Sequence, residues 1–214
     1  MEILYILFGW LLGLLSPLIV DLVKKHYKKN EIRAGIIAEL DEIRARLIGA
    51  AFLLTPRYGT YDRDFINWML PIIRDYSGTY FSQEVIERFE AISRYDDNQF
   101  QAWALTQRRE AETRGMNLKT YSSPYIDSTI HSLSSFNAEF QKRLMEIKSQ
   151  IKILNEEVET STYYFRMTFD GSLTDENQRI IRENLSSNYT NICGTYRRLA
   201  DKIGDFISYA ENSK

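Results

Sequence analysis

The sequence predicts an all-α protein, in which one apolar N-terminal helix is followed by a bundle of amphipathic helices. Seventeen of the first 23 residues are apolar, whereas the whole chain of 214 residues is 44% apolar. Farther along, apolar residues recur every three or four positions over long stretches, which is the period of an amphipathic helix. No segment shows the sustained alternation of apolar and polar residues that is typical of a half-buried β-strand.

The first element is an uncharged stretch that has the length of a membrane span. Residues 3–20 contain no Asp, Glu, Lys or Arg, and as a helix they would rise about 27 Å, close to the thickness of a bilayer's hydrocarbon core. The stretch is apolar on all sides, which favours a spanning helix over one that lies in the membrane interface. The sequence therefore predicts a transmembrane anchor over residues 1–23.

Four residues of this anchor are candidates for packing between spans. Gly9 and Gly13 have the spacing that lets two transmembrane backbones approach closely. Pro17 can kink the last turn, and Asp21 lies at the edge of the apolar stretch, where a carboxylate is either solvated or lines a pore.

A basic collar follows the anchor at Lys24, Lys25, Lys28 and Lys29. Residues 24–33 carry a net charge of +4, and positive residues on one side of a span keep that side in the cytoplasm. A cleaved signal peptide would carry its basic residues before the apolar stretch instead. We therefore expect a single-pass protein of the inner (cell) membrane, with its N-terminus outside and the lysines near anionic lipid head groups.

Residues 34–214 are predicted to form a cytoplasmic helical domain. A first amphipathic helix continues from the collar and ends at Thr55-Pro56, and a long antiparallel hairpin covers 125–169 and 175–211. Between the two hairpin helices, Gly171 provides a helix stop and Thr174 an N-cap. The apolar positions of the three helices are Ile32, Ile36, Leu40, Ile43, Leu47 and Leu54; Ile126 to Phe169; and Ile181 to Ala210.

The stretch between the first helix and the hairpin has shorter elements. Phe65 to Ile73 is apolar but too short to cross a bilayer, so it is predicted to join the core, with Pro71 interrupting any helix there. Further helices are expected to begin at Ser82 and after Asp97. Residues 114–124 have the composition of an exposed hinge.

The composition removes most classes of chemistry. The 27 Lys and Arg are outnumbered by 29 Asp and Glu, and the net charge is −2, which disfavours nucleic acid as a partner. Two histidines and one cysteine leave no zinc or di-iron ligand pattern. Phosphate-binding glycine loops and the nucleophile elbow are also missing from the sequence. We therefore expect no catalytic residues, no metal and no cofactor, and we interpret Asp127 and His131 as a surface pair on one helix.

These observations predict a non-enzymatic membrane-anchored protein that acts in protein–protein interaction or self-assembly at the cytoplasmic face. Its partner would be another protein or further copies of itself, and the spacing in 126–169 leaves room for a coiled coil. Two alternatives remain open at this point. The first is an oligomeric membrane effector or pore whose cytoplasmic domain senses a signal, and the second is a membrane-tethered enzyme such as a nuclease.

Overall fold

Helices account for nearly all of the structure, a computed structural model that describes residues 2–107 and 116–212. Side chains at positions 2–9, 11, 12, 14–16 and 18 lie outside the description. No strand occurs in the described ranges, so the predicted all-helical class is confirmed. The elements are α1 (Glu2–Tyr58), α2 (Arg63–Asp75), α3 (Gln83–Ser93), α4 (Asp97–Gln107), α5 (Pro124–Thr129), a 3-10 helix (Ile130–Ser135), α6 (Ala138–Met167) and α7 (Asp175–Asn212).

The predicted transmembrane anchor, and with it the single-pass location in the inner membrane, is wrong. Among the described residues, none of the helices has a stretch that is both long and apolar enough to cross a bilayer. The prediction depended on residues 3–20, which have only the minimum length of a span. These residues belong to α1, which continues without a break through Asp21 and the lysine collar.

Helix α1 has two halves with different surroundings. We call residues 2–31 the stalk and residues 32–212 the head. Ile32 is the first side chain of α1 that the structure shows as buried, and all six apolar positions predicted for the first amphipathic helix are buried. The predicted end at Thr55-Pro56 is wrong, because α1 runs on to Tyr58. A proline so near the end of a helix removes a hydrogen bond from its last turns only.

Helix α7 lies at the centre of the head and packs against both α1 and α6. It runs antiparallel to α1, since the rings of Tyr58 and Tyr189 lie 4.8 Å apart at one end and Arg44 Nε donates to the Ala200 carbonyl, 3.1 Å away, farther along. The predicted turn into α7 is present, because Thr174 Oγ1 accepts from the Asn177 backbone N–H at 3.3 Å. The first hairpin helix is shorter than predicted, because α5 and the 3-10 helix precede α6 as separate elements.

The predicted core segment between α1 and the hairpin forms α2. Its buried residues are Phe65, Ile66, Met69, Leu70 and Ile73. They belong to the same core as buried side chains of α1, α3 and α4. Pro71 does not interrupt this helix, because it lies on the exposed face of α2, where the carbonyl that it leaves without a donor can bond to water. Helices α3 and α4 begin where the sequence predicts them.

The predicted hinge at 114–124 is a loop over residues 116–123 with several exposed side chains, but hydrogen bonds fix its backbone to the head. The Tyr189 hydroxyl accepts from the Met116 backbone N–H at 2.9 Å and donates to the Met116 carbonyl at 2.6 Å. Asn155 of α6 pairs with both backbone groups of Tyr121 at 2.8 Å. At the start of α5, the Glu39 carboxylate of α1 accepts from two backbone N–H groups at 2.9 and 2.8 Å. Residues 116–126, which we call the strap, therefore tie α6 and α7 to α1.

Candidate interaction surface

Most described side chains of the stalk are exposed rather than packed against the head. From Trp10 to Glu31, all described side chains are exposed except that of Lys29, which is half-buried. Leu22 is 66% exposed and Tyr27 is 71% exposed, whereas Leu40 and Leu47 in the head are 0% exposed. The large apolar side chains exposed on the described stalk are Trp10, Ile19, Val20, Leu22, Val23 and Tyr27.

Three of the four residues predicted to pack between spans, Gly13, Pro17 and Asp21, are exposed in the described structure. Gly9 falls among the positions whose side chains lie outside the description. A Cβ atom added at Gly13 would meet nothing within 4 Å, while Pro17 and Asp21 are exposed on the same helix. A glycine inside a helix costs about 0.5–1 kcal/mol relative to alanine. At Gly13 no packing within the described chain offsets that cost.

The lysine collar lies where the stalk enters the head. Lys24, Lys25 and Lys28 are exposed, and the Nζ atom of Lys29 lies 5.5 Å from the ring centroid of Phe136. Arg33, one turn farther, lies 5.9 Å from the same ring. The collar is therefore a band of positive charge that is exposed at its first three lysines and contacts the Phe136 ring of the head at Lys29. No contact in the structure tests its predicted binding of lipid.

Two open grooves flank the hairpin. One encloses about 400 Å³ and is lined by Gln150, Ile153, Glu157, Thr195, Arg198 and Lys202. The other encloses about 610 Å³ between the strap and α6. In the first groove the cations already have partners, since Lys202 pairs with Glu146 at 2.9 Å and Arg198 donates to Thr195 Oγ1 at 3.0 Å.

Arg44 is a partly buried charge of the head, and its side chain faces α7. Its guanidinium packs against Gly204, where an added Cβ would collide with it. Burial lowers the pKa of Arg44, while the carboxylates of Asp41, Asp201, Asp205 and Asp75 raise it. Trp68 of α2 donates to Asp201 at 2.6 Å, and so connects a third helix to this cluster. The arrangement fixes how α1, α2 and α7 pack.

The remaining candidates for chemistry are dispersed. Within residues 2–107 and 116–212, no group of three or more His, Cys, Asp and Glu side chains is placed to hold a metal ion. Burial raises the pKa of the Cys193 thiol, whose sulfur lies 3.3 Å from Thr55 Oγ1. Asp127 pairs with Lys148, and His131 lies in the 3-10 helix rather than in α5. The surface pair predicted on one continuous helix is therefore replaced by an ion pair between α5 and α6.

Family models, curated proteins and solved structures contain no match to this chain. The sequence prediction placed Ile19 and Leu22 in a lipid-embedded anchor and so missed them as candidates for contact with protein. Residues 24–31 contain neither Gly nor Pro, and this was the signal that the stalk and the head share one helix.

Proposed function

We propose that this chain acts in protein–protein interaction by self-assembly, and that the stalks of its copies form the interface. The observation that carries the proposal is the exposure of the large apolar side chains of the stalk on a helix that the head does not cover. In this arrangement the stalks bury one another and the heads remain outside the contact. The proposed role is non-enzymatic.

The energetics of burial support association. Burying a Val, Leu or Ile side chain from water contributes about 1.5–3 kcal/mol. Six large apolar side chains on the described stalk therefore supply on the order of 10 kcal/mol for each chain, if most of their area is covered. Association itself costs about 4–15 kcal/mol in lost freedom. Two or more stalks contribute such a term each, so the balance favours assembly at ordinary protein concentrations.

The buried apolar face of α6 does not compete for this role. The apolar face of α6 is already buried within the chain at Phe140, Leu144, Ile147, Ile151, Leu154 and Val158. The coiled coil predicted for 126–169 would have to use that same face, so intramolecular packing against α7 takes its place. Residues 3–20 of the stalk, in contrast, carry no charge, and helices that are apolar on all sides are buried among neighbours.

The test is the molar mass of the full chain in solution, measured by sedimentation over a range of protein concentrations. Leu22→Gln changes a side chain of the stalk that is 66% exposed, and Leu105→Gln changes one of the head that is 63% exposed. The two variants lose the same apolar surface in the monomer, so they are matched controls. We expect Leu22→Gln to weaken association about tenfold or more, since each buried leucine contributes about 2 kcal/mol, and Leu105→Gln to leave it unchanged.

Three results would contradict the proposal. The first is a chain that sediments as a monomer at every concentration. The second is an assembly that Leu22→Gln leaves intact, because the interface would then lie outside the stalk. The third is equal weakening by both variants, which indicates non-specific association of exposed apolar surface.

A further inference from the structure

We infer that neighbouring stalks run antiparallel and cross at Gly13, so that the occupant of each stalk's apolar surface is the stalk of a second copy in the opposite direction. This inference rests on the proposed self-assembly through the stalk. It adds the direction and the register of the contact. Both follow from the distribution of charge along α1 and from the surroundings of one glycine.

The lysine collar decides the direction. In a parallel pair the two collars would lie side by side, about 8–10 Å apart, which is the usual distance between packed helix axes. Charges at that distance are within about one Debye length at physiological salt, so the two collars would repel each other. Lys24, Lys25 and Lys28 are all exposed, so their charges face the surroundings of the stalk.

An antiparallel pair removes this repulsion. The collar is centred about 20 Å from Gly13 along the helix axis, at 1.5 Å per residue. A crossing at Gly13 therefore places the two collars about 40 Å apart, at opposite ends of the contact. In the same register, position 2 of one helix is level with position 24 of its neighbour. The sequence has Glu2 and Lys24 at these positions, so opposite charges are level at each end.

The heads favour the same direction. The core begins at Ile32, directly after the collar, and α7 and α5 pack around the following turns of α1. In a parallel pair two such heads would meet at the same end of two closely packed helices. In an antiparallel pair they lie at opposite ends of the contact, and the stalks can approach along their whole length.

Gly13 fits the crossing point. A Cβ atom at this position would meet nothing within 4 Å in the chain, so the fold of the monomer has no need of a glycine here. Two helices approach most closely at their crossing, and a residue without a side chain allows the shortest distance. We assign this purpose to Gly13. The assignment agrees with the register that the charges favour.

Disulfide cross-linking of the full chain tests the direction. Cys193 is first replaced by serine, and Ile6→Cys and Val20→Cys are made separately in that background. With the crossing at Gly13, positions 6 and 20 of neighbouring chains are level, whereas two copies of position 20 lie about 21 Å apart along the axis. A disulfide needs Cα atoms within about 7 Å. Leu105→Cys, on the exposed surface of the head, reports random collision.

We expect a mixture of the Ile6→Cys and Val20→Cys chains to cross-link about tenfold more than either variant alone, under mild oxidation. Circular dichroism confirms that each variant keeps its helical content. Cross-links between identical positions, with little in the mixture, would overturn the antiparallel direction and leave self-assembly intact. An assembly of the expected mass without cross-links at either position would overturn the register. A monomer at every concentration would overturn the proposed function as well.

Discussion

The two halves of α1 share one continuous backbone and differ in everything around it. Over 32–58, apolar residues recur at every third or fourth position, and each of those predicted positions is buried against the head. Over the stalk, large apolar residues are denser in the sequence, yet the described ones are exposed. Hydrophobicity alone therefore does not decide burial within a chain, because burial also requires a second element to pack against.

The stability of the two halves of α1 depends differently on protein concentration. The head half is stabilised by α7 and the strap within the same chain, so its stability does not depend on protein concentration. An isolated helix is marginal in water at most lengths, and most helices gain their stability from tertiary packing. In our proposal the stalk gains that packing from other copies, so its stability rises with concentration by mass action.

The largest effect is expected from truncating a buried residue of the head half. Leu47→Ala removes a side chain that is 0% exposed and leaves a cavity, so we expect the free energy of unfolding to fall by about 2–5 kcal/mol. The measurement is urea denaturation at low protein concentration. Leu22→Ala in the stalk is the control, and a loss of similar size there would remove the distinction between the two halves.

The strap is held to α7 by a buried tyrosine hydroxyl. The Tyr189 side chain is fully buried, and its hydroxyl contacts both backbone groups of Met116. Burial also raises the pKa of Tyr189 to about 12. Tyr189→Phe leaves these backbone groups without their partner, and we expect a loss of about 1–3 kcal/mol in the free energy of unfolding. Amide exchange at residues 116–121 should accelerate, whereas unchanged exchange would show that this hydroxyl does not fix the strap.

Two glycines of long helices offer a matched comparison. Gly204→Ala would push the Arg44 guanidinium away from α7 and from the Ala200 carbonyl, so we expect the head to lose about 1 kcal/mol despite the better helix former. Gly13→Ala meets no atom within 4 Å, and in the dissociated chain it should stabilise the stalk helix by about 0.5–1 kcal/mol. Effects of the same sign at both positions would contradict this difference in surroundings.

The smallest effect concerns acid. The Tyr76 hydroxyl donates to the Glu42 carboxylate of α1, and this hydrogen bond lowers the pKa of Glu42 from its ordinary value of 4.5. A lowered pKa in the folded state contributes stability above the ordinary value, and that contribution disappears as the pH falls through the folded pKa. Because Glu42 is partly exposed, we expect a shallow loss of stability of the head below about pH 4.5. Glu42→Gln should flatten that loss, and an unchanged pH profile in the variant would assign it to other groups.

The sequence predicted those parts of the fold that have local signals. The hairpin of α6 and α7 could be found because its apolar positions keep the helical period and because Thr174 and Gly171 mark the turn. The strap could not be found, because Asn155, Glu39 and Tyr189 bind the backbone of residues distant in sequence, and such pairs leave no periodic pattern. Pro71 was misread because its cost depends on which face of α2 it occupies. The candidate interface was located from composition, but the choice between lipid and protein as its neighbour is not contained in the apolar pattern.

The most direct test of the difference between stalk and head is hydrogen exchange of the full chain, measured from dilute to concentrated solution. We expect the amides of residues 2–31 to exchange more slowly as the protein concentration rises. We expect the amides of residues 32–58 to show the same protection at every concentration. Protection of the stalk that does not change with concentration would contradict the claim that other copies of the chain complete its packing.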